Sequence, residues 1–323
     1  MHVLVSGPTT AREFLQSLAA AVSQHIPDTE CRYDLVRPSD YGRWHETDIW
    51  VAFAAPCDGR DMDLAPRLAA IVIPSLGYES IDVRAATERG IAVANGNVAE
   101  NFESVAEAAF MFMLMTLYRV QEAQARLQTG VLRSGAPMAR MLKGKTVGII
   151  GYGNIARALE LRLSGWGADL LVSTRKSIVV ENSAHQCDLE TLLARSDIVL
   201  PLVPLTDDTR GLLSRKRLLA MKSGAILINL SRGAVVDESA LVDPVIATRM
   251  GGLAMDVFEV EPLPAHSPLR SLKSAVLTGH EIAHTRENLV SLFETALKNV
   301  LDAAAERPLE TALNHVVPSL RNI

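Results

Sequence analysis

The sequence predicts an α/β protein of two Rossmann-like domains, each a doubly wound parallel sheet, with one domain inserted into the other and leaving it discontinuous. Three observations carry this. Short apolar, β-branched runs alternate with segments of helical apolar spacing along most of the chain, the order a parallel sheet requires. A glycine fingerprint lies mid-chain, at 151–156, inside a complete strand–turn–helix–strand unit. At 323 residues the chain is too long for one ordinary core and suits two domains.

The first part of the outer domain spans residues 1–99. Residues 2–6 form a short apolar run that predicts a strand. Residues 11–22 predict a helix, with Phe14, Leu15, Leu18, Ala21 and Val22 at helical spacing. Residues 49–54 and 70–74 read as strands, 81–89 as a helix closed by Gly90, and 91–94 as a last strand. This unit has no fingerprint of its own and is read as the substrate-side domain, to which 287–323 return. Its segment IPSLGYESID (73–82) ends a strand in a turn at Gly77 that can offer consecutive backbone N–H groups to an anion.

Residues 97–120 read as one long helix. Its run AAFMFMLM (108–115) is apolar on every side, which predicts burial all round, between two domains or two subunits. Eight such residues are far short of a membrane span. Residues 126–143, with Gly130, Gly135 and Pro137, predict a loop-rich connection.

The inserted domain, 100–286, is organised around the fingerprint. Residues 145–150 predict a buried strand, 155–163 a helix stopped by Gly165 and Gly167, and 168–173 a second strand. In the G-x-G-x-x-A pattern, Gly151 permits the tight turn and Gly153 leaves room for a pyrophosphate. Asn154 and Ile155 open the helix whose N-terminus would face that group, and Ala156 lets the helix pack closely on the strand. This predicts dinucleotide binding. The second strand ends in Ser173-Thr174-Arg175-Lys176, with no acid to accept from a ribose 2′-hydroxyl. Two cations and two hydroxyls suit a 2′-phosphate instead, so Thr174, Arg175 and Lys176 predict NADP as the preferred cofactor, with NAD possible.

Strand and helix then alternate. Residues 189–195 predict a helix and 197–203 a strand running into Pro204. A helix follows at 214–221 with Ser214 as N-cap, then a strand at 225–230. Residues 237–246 predict a helix that Pro244 must shorten or kink. Strands follow at 252–257 and 275–278, and Thr285 caps a helix to 305. The tail, 306–323, reads as irregular.

Composition narrows the function classes. Hydrophobic content of 48% with 15 prolines and 20 glycines is that of a soluble globular protein, and a net charge of −5 argues against nucleic acid as the main partner. Cys31, Cys57 and Cys187 are odd in number and scattered, so neither a disulfide framework nor a metal site is predicted. The start, MHVLVSGPTT, lacks the charged and apolar regions of a signal peptide, which predicts a cytoplasmic protein without a membrane partner.

Three residues beyond strands of the inserted domain carry the chemistry: Arg232, Glu261 just past Asp256, and His280. In a doubly wound sheet, ligands bind outside the carboxyl ends of the strands, where all three belong. An arginine suits a bidentate grip on a carboxylate, and a histidine with an acid behind it is a general acid/base.

The segments NLSRGAVVDESAL (229–241), GLAMDVFEVEPLP (252–264), LTGHEIAHT (277–285) and SDIVLPLVPLTDDTRGLL (196–213) resemble the D-isomer-specific 2-hydroxyacid dehydrogenase family. So do GYGNIA (151–156), NFESVAE (101–107) and SLGYESID (75–82). The resemblance implies that Arg232 orients the substrate carboxylate and keto oxygen and that His280 exchanges the proton with the hydroxyl. Glu261 would hold His280 and favour its charged form, and the backbone of Leu76 and Gly77 would receive the carboxylate. Asp256 would meet the nicotinamide carboxamide, with Val105, Pro204, Thr209 and Leu230 lining the cofactor. It further implies a homodimer and reduction of a small 2-keto acid, of glyoxylate, hydroxypyruvate or pyruvate type, to the D-2-hydroxy acid with NADPH. A dinucleotide-binding regulatory protein of the same fold, corepressor-like and with little turnover, is the alternative. Three positions depart from the family pattern: Gly279 where proline is common, Ile282 where a small residue is usual, and Leu202 where histidine is frequent. Leu76 stands where phosphite-oxidising relatives carry lysine, and formate-oxidising relatives lack the acid matching Glu261.

Overall fold

The computed structural model describes residues 1–130, 135, 138–175, 184–272 and 274–320. It divides into two compact units, Met1–Asn101 with Thr285–Ile323, and Phe102–His284.

The first unit holds β1 (Val3–Gly7), α1 (Arg12–Ser23), β2 (Thr29–Tyr33), β3 (Ile49–Ala52), α2 (Gly59–Asp63), β4 (Ala70–Val72), α3 (Val83–Glu88) and β5 (Ala92–Ala94). Its strands form one parallel sheet in the order β2-β1-β3-β4-β5. The inner strands are apolar on both faces because both are covered. Along β1, Val3 and Val5 enter one apolar cluster and Leu4 the other, and along β3 Ile49 and Val51 oppose Trp50 in the same way. The sequence pattern misses β2. This strand (TECRY) pairs only with β1, its residues are mostly half-buried, and an edge strand has no need of a continuous apolar run.

The helix α4 (Ala99–Leu117) is shorter than the 97–120 of the sequence reading, and α5 (Val120–Thr129) replaces the expected start of a loop. The break falls at Arg119, whose backbone is left-handed (φ 54°) and whose guanidinium Nε donates to Glu122 at 2.9 Å. No glycine or proline marks it. Within the single chain, the run 108–115 is not buried all round. Ala108, Ala109, Phe112 and Met113 face the core, but Met111 is 39% exposed and Phe110, Leu114 and Met115 are only half-buried. A helix laid on a sheet has one face covered by its own chain, and the other must be covered by something else or face water.

The second unit continues with β6 (Thr146–Ile150), α6 (Asn154–Leu163), β7 (Asp169–Ser173), β8 (Ala184–Gln186), α7 (Leu189–Arg195), β9 (Ile198–Pro201), α8 (Arg215–Ala220), β10 (Ile226–Asn229), α9 (Glu238–Leu241), α10 (Pro244–Arg249), β11 (Gly252–Met255) and β12 (Ala275–Leu277). The seven strands are parallel in the order β12-β11-β10-β9-β6-β7-β8, so the winding reverses between β6 and β9. Residues alternate between two covering clusters along each inner strand, as at Ile226, Leu227 and Ile228 of β10. Pro244 starts a second helix at its first position instead of kinking one. Ser214 sits at the N-cap of α8, but its hydroxyl makes no cap bond. The chain returns to the first unit through α11 (Arg286–Ala304), where Thr285 accepts from the Asn288 N–H as an N-cap. Among the described residues, no helix is long and apolar enough to cross a membrane.

Candidate active site

The reversal between β6 and β9 is where an open α/β sheet leaves a crevice at its strand ends. Gly151 follows β6 with φ 93°, and a Cβ there would lie 2.5 Å from the Leu202 carbonyl oxygen. The fold itself therefore demands that glycine. Gly153 differs. It is the N-cap residue of α6 with φ −94°, and nothing lies within 4 Å of where its Cβ would be. Among the described residues nothing requires that glycine, so the open space at the helix N-terminus suits an incoming pyrophosphate. Asn154 and Ile155 open α6, and Ala156 is fully buried beneath. The residues present fit a dinucleotide.

Thr174 and Arg175 follow β7; Lys176 lies outside the described residues. Arg175 Nη1 donates to Asp208 Oδ2 at 2.9 Å, with both side chains largely exposed. The sequence reading missed Asp208 as a neighbour of the basic tip, and only the loop after β9 brings it there. That loop also joins two expected cofactor residues, since Thr209 Oγ1 donates to the Pro204 carbonyl at 2.6 Å. Val105 and Leu230 belong to one apolar cluster, together with Leu202 and Ile282.

Three loops carry Arg232, Glu261 and His280. After β10, the fully buried Asn229 accepts from the Ser231 N–H and hydroxyl and donates from Nδ2 to the Arg232 carbonyl at 3.0 Å. These bonds hold the backbone that carries Arg232. A Cβ on Gly233 would lie 1.9 Å from the Phe258 carbonyl carbon, so this loop rests directly on the loop after β11. There the Phe258 N–H donates to Glu261 Oε1 at 2.9 Å, while Glu261 Oε2 meets His280 Nδ1 at 2.7 Å. His280 itself is left-handed (φ 59°), a backbone state a non-glycine residue keeps only where its surroundings impose it.

Asp256 supplies that imposition. This buried carboxylate accepts from the Thr278 hydroxyl at 2.5 Å, the Glu281 N–H at 3.1 Å and the Ile282 N–H at 3.4 Å, bracketing His280 on both sides. The sequence reading placed Asp256 only against the cofactor and missed this brace. Gly279 is not sterically demanded: the one atom near its would-be Cβ is Glu281 Oε1 at 3.9 Å.

A carboxylate can only accept, so Nδ1 of His280 is the donor toward Glu261, and Nε2 is the nitrogen left for exchange. Burial alone would raise Glu261. The His280 hydrogen bond, the Phe258 N–H and the charges of His280 and Arg232 outweigh it and hold the carboxyl below its usual value. Arg232, Glu261 and His280 thus act on one another. Leu76 and Gly77 lie in the first unit, in the turn beyond β4.

Residues 110–281 match the family described as D-isomer specific 2-hydroxyacid dehydrogenase, NAD binding domain. The chain belongs to that family. It is 32% identical over 310 residues to glyoxylate/hydroxypyruvate reductase B of Pectobacterium carotovorum, covering 94% of this chain and 96% of that one. It is 37% identical over 250 residues to glyoxylate reductase of Thermococcus litoralis, covering 74% and 75%. The structure of an NADPH-dependent glyoxylate/hydroxypyruvate reductase from Sinorhizobium meliloti, in complex with NADP and malonate, superposes with a TM-score of 0.84 at 24% identity, covering 100% and 99%. That likeness shows the fold. This dehydrogenase is accordingly an oxidoreductase of the CH–OH group that uses a nicotinamide dinucleotide and a small 2-hydroxy or 2-keto acid. The regulatory alternative draws no support from these relatives.

Proposed function

We propose that this dehydrogenase reduces a small 2-keto acid of glyoxylate, hydroxypyruvate or pyruvate type to the D-2-hydroxy acid with NADPH. The 2.7 Å contact of His280 Nδ1 with Glu261, leaving Nε2 for the substrate, carries the reading. The nicotinamide supplies the hydride when bound. Arg232 grips the carboxylate and keto oxygen, and the N–H groups of Leu76 and Gly77 receive the carboxylate. His280, protonated, gives its Nε2 proton to the oxygen that becomes the hydroxyl, while Glu261 keeps the ring oriented through Nδ1. Val105, Pro204, Thr209, Leu230 and Asp256 line the cofactor.

Arg175 and Thr174 support the NADPH choice, because β7 ends without the acid that an unphosphorylated ribose would use. Asp208 works against it by holding Arg175, a point taken up below. The half-exposed apolar face of α4, continued by the 4.9 Å edge-on contact of Phe110 with Trp166, supports a homodimer. Sedimentation as a clean monomer near 35.0 kDa at micromolar concentration would count against it. NADPH oxidation assayed across a panel of 2-keto acids, then repeated with NADH, tests the function. Failure with every acid tried would overturn it.

A further inference from the structure

The turn at 75–77 is held from behind by the end of the neighbouring strand. The Ile73 N–H donates to the Ala94 carbonyl at 2.8 Å, the Gly96 N–H to the Ser75 carbonyl at 2.7 Å, and Asn95 Nδ2 to the Leu76 carbonyl at 2.6 Å. Gly96 leaves no slack, since a Cβ there would lie 3.0 Å from the Ser75 carbonyl carbon and 2.3 Å from Leu292 Cδ2.

Asn95 is only 3% exposed, and its Oδ1 is buried without a hydrogen-bond partner. An unsatisfied buried oxygen destabilises the fold, so a side chain that carries one calls for a reason at its other end. That end is the Leu76 carbonyl. Asn95 is itself braced from the tail: its N–H donates to the Thr311 carbonyl at 3.2 Å, the Thr311 hydroxyl donates to the Asn95 carbonyl, and Asn299 Nδ2 of α11 donates to Thr311 Oγ1 at 3.0 Å.

In a trans peptide the C=O and the following N–H point in opposite directions. Turning the Leu76 carbonyl toward Asn95 therefore turns the Gly77 N–H away from it. Among the described residues, no acceptor is hydrogen-bonded to the N–H of Leu76 or of Gly77.

We propose that Asn95 is a positioning residue for substrate: it orients the Leu76–Gly77 peptide so that the Gly77 N–H faces the substrate carboxylate, beside the Leu76 N–H of the preceding peptide, whose Ser75 carbonyl Gly96 holds, and Thr311 braces Asn95. This rests on the function proposed above, with those two amides as the carboxylate site. Asn95 touches neither substrate nor cofactor.

The test uses the full-length protein with glyoxylate, hydroxypyruvate and pyruvate. In Asn95→Ala, KM for the keto acid should rise about 5- to 100-fold, the loss expected when a carbonyl is left without its donor. The kcat should stay within a fewfold, as when binding alone is weakened. The Kd for NADPH, read by fluorescence titration, should not move. Thr311→Val, a milder change, should shift KM in the same direction by less. In Asn95→Asp, burial favours a protonated carboxyl that can donate to Leu76, so its KM ratio to wild type should shrink toward acid pH. A wild-type protein inactive on all three acids sinks the functional reading before any variant is made. An active wild type with unchanged KM in Asn95→Ala and Thr311→Val overturns this inference alone. So does a variant whose Tm, kcat and NADPH affinity fall together, because that marks a purely structural asparagine.

Discussion

Two strand-end regions of the second unit face the same crevice and are built in opposite ways. The loops after β10, β11 and β12 interlock: Asn229 holds the Arg232 backbone, Gly233 rests on Phe258, Phe258 and His280 share Glu261, and Asp256 brackets His280. At the tip after β7, the described residues show one exposed ion pair, Arg175 with Asp208. The first region places charges before substrate arrives, which is what electrostatic and acid/base catalysis requires. The second leaves its cation exposed to water, where an ion pair contributes little and a competing anion can exchange in. On the function proposed above, the chemistry is thus structurally over-determined, while cofactor choice is left adjustable.

The largest expected effect lies in the rigid region. His280→Ala should lower kcat/KM for reduction by roughly 10²- to 10⁴-fold, the usual worth of a positioned acid/base group, while NADPH still binds because the turn at Gly151 and Gly153 is untouched. Near-normal turnover would break the assignment. Arg232→Lys should likewise lose most of kcat/KM, since a point charge cannot replace a planar guanidinium that meets carboxylate and ketone together. Wild-type kinetics would move the carboxylate grip elsewhere.

Next comes the exposed tip after β7. Arg175→Ala should weaken NADPH about 10- to 150-fold, the loss of a charge-assisted contact worth about 1.5–3 kcal/mol, and leave NADH nearly unchanged. A wild type that already prefers NADH by a wide margin defeats it.

The pH dependence tests whether Glu261 belongs to the rigid set. Its carboxyl is held below the usual value, so it stays ionised through neutrality, and its stabilising contact is lost only as pH falls through that lowered value. Titration of Glu261 therefore belongs to the acid side of the profile. Glu261→Gln keeps an acceptor but removes the titrating carboxyl, so any acid-side loss of kcat/KM that Glu261 causes should vanish from the profile. Measured profiles of kcat/KM that coincide would show that Glu261 is not the partner of His280.

The smallest effect is at Asp208. Asp208→Asn frees Arg175 for a 2′-phosphate and should tighten NADPH by a fewfold, the scale of an exposed ion pair, without altering kcat. Weaker NADPH binding would mean that Asp208 positions Arg175 instead of competing for it.

From the sequence alone, the two parallel sheets, the glycine turn and the candidate trio Arg232, Glu261 and His280 could be read, because each leaves a local mark. An inner strand covered on both faces must be continuously apolar, a left-handed turn calls for glycine at 151, and a charged or titratable residue just beyond an apolar strand stands out. The apolar edge strands β5 and β12 keep that mark, whereas the polar edge strands β2 and β8 lack it and were invisible, and the break at Arg119 lacks any glycine or proline to announce it. Which face of the run 108–115 is covered was likewise set by where α4 lies on the sheet, and Met111 ended up on the open side. The remaining decisions concern polar partners far apart in the chain. Asp208 reaches Arg175 across 33 positions, Asp256 reaches Thr278 across 22, and Asn95 reaches Leu76 across 19. Periodicity reports burial and local conformation, whereas a polar group's partner depends on which loops the strand order sets side by side. Only the tertiary structure supplies that.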